Sequence, residues 1–215
     1  MNKRGLFART AVGALGGMLL VGMAGVAVAD ELDDDDVAVN VTIAPIEPVG
    51  ALTMSVAANS TSLTEVASDD ENYREFTGSL PTVTVTDDRS DVPEGVYWYV
   101  TGQSSDFGTN PATDVIGADR LGWTPALLTP SEGEVIEGDQ TVPSVDAPTQ
   151  GAGTPSANNV GLESEELLAL ALDSADARTT GSWSANAALN LKADADVTPG
   201  AYQATLTLTL WEDAQ

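Results

Sequence analysis

Apolar residues in this chain return at every second position, in short runs closed off by proline and glycine. That period constrains the fold more than any other feature. Val37, Val39, Val41 and Ile43 alternate with Ala38, Asn40 and Thr42. The same rhythm recurs in Leu52-Thr53-Met54-Ser55-Val56, in Thr82-Val83-Thr84-Val85-Thr86 and in Val96-Tyr97-Trp98-Tyr99-Val100. Late in the chain Trp183, Ala185, Ala187, Leu189 and Leu191 fall on one face, and Ser184, Asn186, Asn190 and Lys192 on the other. Leu206, Leu208 and Leu210 then alternate with Thr205, Thr207, Thr209 and Trp211. Successive side chains of a strand point to opposite faces, so each run reads as a strand with one buried face. Turn residues punctuate them: Pro48 and Gly50, Pro93 and Gly95, Pro199 and Gly200. Many short strands without sustained helical spacing predict an all-β fold, an antiparallel Ig-like (Greek-key) β-sandwich.

Two stretches test that reading. Residues 162–172 are rich in Glu, Leu and Ala, and Ser164 could cap a helix. Leu168, Leu170 and Leu172 nevertheless alternate with Ala169 and Ala171, and we read a strand there. Residues 130–159 hold Pro143, Pro148, Gly151, Gly153 and Pro155, which reads as a long loop with a short strand at Glu134-Val135-Ile136.

Charge is distributed just as unevenly. The chain has 215 residues, 33 of them acidic and 8 basic, with no histidine and no cysteine. Lys3, Arg4 and Arg9 precede an apolar stretch at residues 11–26 and the small residues Ala27-Val28-Ala29. This is the pattern of a cleaved secretory signal peptide, residues 1–29. Its removal leaves five basic residues against 33 acidic ones, a formal net charge of −28. Residues 30–36 are almost wholly acidic and read as a disordered, solvated terminus. Residues 37–215 then form a single domain, secreted and with no membrane insertion after signal cleavage.

These numbers remove several functions. So negative a field repels phosphate backbones, so nucleic acid is excluded as a partner. Without histidine or cysteine there is no Ser-His-Asp triad, no thiol nucleophile and no ordinary zinc site. No acid lies in a recognisable catalytic motif, so we expect no enzyme and no cofactor. Asp33 to Asp36, Asp69-Asp70-Glu71 and Asp87-Asp88 with Asp91 could offer oxygens to Ca2+, but none has EF-hand spacing. They read as a solvated, repulsive surface.

Several segments in order carry a resemblance. Leu80-Pro81-Thr82-Val83-Thr84-Val85-Thr86-Asp87-Asp88-Arg89 precedes Trp98-Tyr99-Val100-Thr101-Gly102-Gln103-Ser104-Ser105-Asp106-Phe107. Leu121-Gly122-Trp123-Thr124-Pro125 follows, and Pro199-Gly200-Ala201-Tyr202-Gln203-Ala204-Thr205-Leu206-Thr207-Leu208-Thr209-Leu210 comes last. The set resembles the WxL-domain surface proteins of Gram-positive bacteria, most closely the short exported actinobacterial type. The resemblance covers about residues 37–211. It implies a secreted β-sandwich held non-covalently at the cell wall, with peptidoglycan or other surface proteins as partners. Trp98, Tyr99 and Val100 fall on the first family motif, with valine in place of leucine. Leu208, Thr209 and Leu210 fall on the second, where the tryptophan is missing.

Strand alternation assigns faces to these residues. Trp98 shares its side with Val96 and Val100, and Leu208 with Leu206 and Leu210, so both are expected in the core. Tyr97, Tyr99 and Trp211 are expected outside. There they could stack on sugar rings, or they could simply suit a strand surface. Cleavage after Ala29 predicts that the exported protein begins at Asp30. Its intact mass checks this, and a mass that still includes Lys3, Arg4 and Arg9 would mean the leader is kept.

Overall fold

The computed structural model describes residues 50–109, 114–147 and 160–214. The leader, the acidic stretch, the alternating run at residues 37–43 and residues 148–159 of the long loop lie outside the described residues. In chain order the strands are β1 (Leu52–Val56), β2 (Thr64–Val66), β3 (Tyr73–Ser79), β4 (Val83–Asp87) and β5 (Val96–Ser104). Next come β6 (Phe107–Thr109), β7 (Val115–Ile116), β8 (Leu121–Leu127), β9 (Val135–Glu137) and β10 (Glu166–Ala171). A short helix, α1 (Ser174–Arg178), leads to β11 (Ser182–Asp194), β12 (Tyr202–Gln203) and β13 (Leu206–Ala214). Every pairing between these strands is antiparallel.

The first sheet is built on β11. Along one of its edges β3 and β4 run end to end, from Tyr73 opposite Asp194 to Ser79 opposite Ala188, then from Val83 opposite Ala185 to Thr86 opposite Ser182. The register slips by one residue between them, at Leu80-Pro81-Thr82. A proline has no N–H to give the ladder and is tolerated in a strand at such a bulge. β1 pairs with β4 and β2 with β3 on the outer side, while β8 lines the other edge of β11. The second sheet has the order β13-β5-β10-β9, and a small third one the order β12-β6-β7. The chain is an all-β sandwich.

Alternation places the core. In β11 Trp183, Ala185, Ala187, Leu189, Leu191 and Ala193 are all buried. They meet Val83 and Val85 of their own sheet, and Trp98, Val100, Leu168, Ala169 and Ala171 of the other, in one apolar cluster. Where Val83, Val85, Trp98, Leu168 and Trp183 meet, the free space is about 10 Å³, and it is apolar. A void that small and dry matches the close packing of protein interiors. Gly102 permits part of this packing. A Cβ there would lie 2.6 Å from Trp123 Cη2 and 3.2 Å from Leu208 Cδ2.

Residues 162–172 hold a strand, β10, and no helix. Its register shifts between Leu167 and Ala169, where it pairs with β5. In consequence Leu168, Ala169 and Ala171 are buried, while Leu170 and Leu172 look outward. The long loop is partly built. β9 joins the second sheet, and a 3-10 turn at Ser144–Asp146 follows. Helix α1 escaped the sequence reading because five residues are too few to show a 3.6 period. Asp173 caps it, accepting from the Ala175 and Asp176 amides, and the indole N–H of Trp183 donates to Ala177 O at 2.8 Å.

One acidic residue departs from the solvated reading. Asp87, at the end of β4, is buried. Arg89 grips it through Nε and Nη2 at 2.8 and 2.7 Å and reaches Glu212 of β13 at 2.8 Å, tying the two sheets together. Arg178 of α1 donates to Arg89 O at 2.6 Å. Burial alone would raise the Asp87 pKa, but the hydrogen bonds and charge of Arg89 outweigh it and hold the carboxyl below the usual aspartate range.

Two predictions follow from this packing. Trp98→Ala should cost about 3–5 kcal/mol, as large-to-small aromatic changes in packed interiors do, read as a fall in the denaturation midpoint. For Asp87 the folded pKa lies below the unfolded one. Its stabilisation is therefore complete above about pH 4 and lost as pH falls through the lower folded value. Asp87→Asn should destabilise the protein at neutral pH by about 1.5–3 kcal/mol, since it takes the charge from one of the two carboxylates that hold Arg89. The difference from wild type should shrink in denaturation midpoints measured below about pH 3.

Candidate functional site

The outer face of the second sheet gathers the residues of interest, and β5 sets its pattern. Trp98 and Val100 are each 1% exposed, so Tyr97 and Tyr99 must point away from the core. β13 lies beside β5 over nine residue pairs, with Leu210 opposite Val100, Trp211 opposite Tyr99 and Asp213 opposite Tyr97. The segments Trp98-Tyr99-Val100 and Leu208-Thr209-Leu210 are thus neighbours in one sheet. Leu206, Leu208 and Leu210 are half-buried and pack on the core. Thr209 stands opposite Thr101.

This register assembles three rings. Tyr97 and Tyr99 have centroids 5.9 Å apart and planes 21° apart; Tyr99 and Trp211 have 6.4 Å and 22°. Those separations belong to offset stacking, in which rings overlap like tiles and keep part of each face free. Polar contacts fix the tiles. Tyr99 Oη donates to Asp213 Oδ2 at 2.9 Å, and Trp211 Nε1 donates to Thr101 Oγ1 at 3.0 Å. The bond to Asp213, with the nearby charge, pushes the Tyr99 pKa up, so the phenol stays protonated at physiological pH.

The face continues beyond the aromatic residues. Leu170 lies opposite Tyr99 on one side and opposite Ile136 on the other. Trp211, Tyr99, Leu170 and Ile136 therefore form one row across all four strands, with Trp211 41% and Ile136 39% exposed. Leu172, 50% exposed, follows at the end of β10. The aliphatic half was missed in the sequence because the β10 bulge decides which leucines turn outward. The three-residue β9 was too short to show its face.

Electrostatics leave little for an anion to hold. All five basic residues beyond position 29 are engaged. Arg74 pairs with Glu65, Arg89 with Asp87 and Glu212, Arg120 with Asp119 and Asp194, and Lys192 with Asp146. Arg178 caps Arg89 O. Among the described residues no group of three or more acids is arranged to hold a metal ion. Asp70 turns inward on its own loop, accepting from the Asn72 backbone and side chain. No helix among them is long and apolar enough to cross a membrane.

A second feature lies on the other side of the second sheet. The sandwich opens between Met54 and Val56 of β1, Phe76 of β3 and Leu206 and Leu208 of β13 into a cleft of about 1190 Å³. Among the described residues its one charged lining residue is Arg74, already paired with Glu65. β1 and β13 form the outer edges there, each paired on one side among the described residues.

No protein-family model matches this chain, and no curated protein or solved structure matches it.

The geometry makes a direct optical prediction. Trp98, Trp123 and Trp183 are 1, 1 and 4% exposed, whereas Trp211 stands in solvent. Acrylamide should quench one fluorescence component strongly, and Trp211→Phe should remove that component with little change in thermal stability.

Proposed function

We propose that this is an exported, non-catalytic surface protein that associates non-covalently with the Gram-positive cell wall. The tiled face of Tyr97, Tyr99 and Trp211 is its contact with wall glycan. The observation that carries the reading is the pair of offset stacks: rings held side by side on a rigid sheet, with polar tips at their rim, match the apolar faces and hydroxyls of sugars. The signal-peptide pattern and the resemblance to WxL-domain proteins point to the same place. The full engagement of the basic residues argues that the ligand is not recognised through negative charge.

A different reading has its own support. The cleft, and the edges of β1 and β13 that are paired on one side only among the described residues, suit an extended segment of another surface protein, added as a strand. The chain would then act as an adhesin or complex subunit without touching peptidoglycan.

Sedimentation with purified wall sacculi separates the two. If the aromatic face binds, the exported protein pellets with sacculi, with or without Ca2+. Monovalent salt leaves the bound fraction unchanged or raises it, since screening shortens charge repulsion to about 8 Å at physiological ionic strength. Tyr99→Ala with Trp211→Ala should abolish pelleting while the domain stays folded. A double variant that is folded and pellets normally excludes this face as the contact.

A further inference from the structure

We propose that the ligand of this face is an uncharged, N-acetylated hexosamine chain lying across the strands, along the row Trp211, Tyr99, Leu170 and Ile136. The inference rests on the wall-binding reading and names its substrate class. Neighbouring strands are about 4.8 Å apart, so a row that crosses four of them is about 14 Å long, enough for a short run of sugar rings. The row changes character at its middle. Trp211 and Tyr99 offer ring faces for the C–H surface of a pyranose. Leu170 and Ile136 offer no ring to stack on and no polar atom for a hydroxyl. What they can cover is a methyl group, and the acetamido substituent is where a hexosamine carries one. Leu172, one position beyond Ala171 on β10, widens the aliphatic end on the side of Tyr97.

Charge narrows the class further. Asp213, which already accepts from Tyr99, has acceptor capacity left for sugar hydroxyls. The same carboxylate repels a ligand acid or phosphate, and no free basic residue stands on the face to offset it. A neutral acetylated backbone therefore suits this surface, and acidic wall polymers do not.

Calorimetric titration of the exported protein with N-acetylglucosamine oligomers, and with β-1,4-glucose oligomers of equal length, tests the proposal. Affinity for the acetylated series should rise about tenfold from the disaccharide to the tetrasaccharide and should exceed that for the glucose series. Leu170→Ser with Ile136→Ser should bring the acetylated tetrasaccharide down about tenfold, to the level of its glucose counterpart. Trp211→Ala should weaken both series. Should the double variant lose its fold, Ile136→Ser alone, at the sheet edge, should show about a threefold loss. Equal affinity for both series, or serine variants that bind as wild type does, overturns the proposal. If sacculus binding still depends on Trp211 in that case, the wall-binding reading stands. Failure to bind sacculi or any oligomer removes both.

Discussion

The burial of Trp98 between the two sheets is the contact on which the rest of this structure depends. With no cysteine in the chain there is no disulfide to close the sandwich, and apolar packing joins the sheets, helped by the Arg89 bridge. At its centre the indole meets Val83, Val85 and Trp183 of the opposite sheet, with a residual void of about 10 Å³. Committing Trp98 and Val100 to the core fixes the parity of β5, and parity puts Tyr97 and Tyr99 on the outside. The register of β13 then sets Trp211 against Tyr99. A slip of one residue would turn Trp211 inward and Leu210 outward. Fold and candidate site are thus consequences of one choice of face.

Charge shapes the molecule in a complementary way. The few basic residues serve the fold: Arg89 bridges the sheets through Asp87 and Glu212, and Arg120 pairs with Asp194 while its guanidinium lies 5.6 Å from the Tyr73 ring. The acids in excess of these cations give the domain a strongly negative surface. Such a surface keeps a protein dispersed and discourages anionic ligands. Within that field the outer face of the second sheet carries a strip of rings and aliphatic side chains, with Asp213 at its rim. A strip of this kind, on a sheet face rather than in a pocket, suits an extended polymer better than a small molecule.

Much of this was legible in the sequence, and the reasons are physical. A period of two is a strong signal wherever a strand has one buried face, so β1, β4, β5, β11 and β13 and the outward direction of Tyr97, Tyr99 and Trp211 could be read from it. Four features could not. The bulge at Leu80-Pro81-Thr82 and the one between Leu167 and Ala169 are register events, visible only when both strands of a pair are known. The aliphatic half of the outer row depends on the second of these and on a strand of three residues. The burial of Asp87 was hidden because an acid next to Asp88 looks like one more solvated charge, and its pairing geometry with Arg89, two residues on, is not a sequence pattern.

The central claim is that one register across four strands builds the outer row, and nuclear Overhauser effects on the isotope-labelled protein measure that register most directly. The account predicts cross-strand contacts that link Trp211 to Tyr99, Tyr99 to Leu170 and Leu170 to Ile136. Contacts that place Trp211 beside Trp98 or Val100, or Leu170 among the core residues, would contradict it.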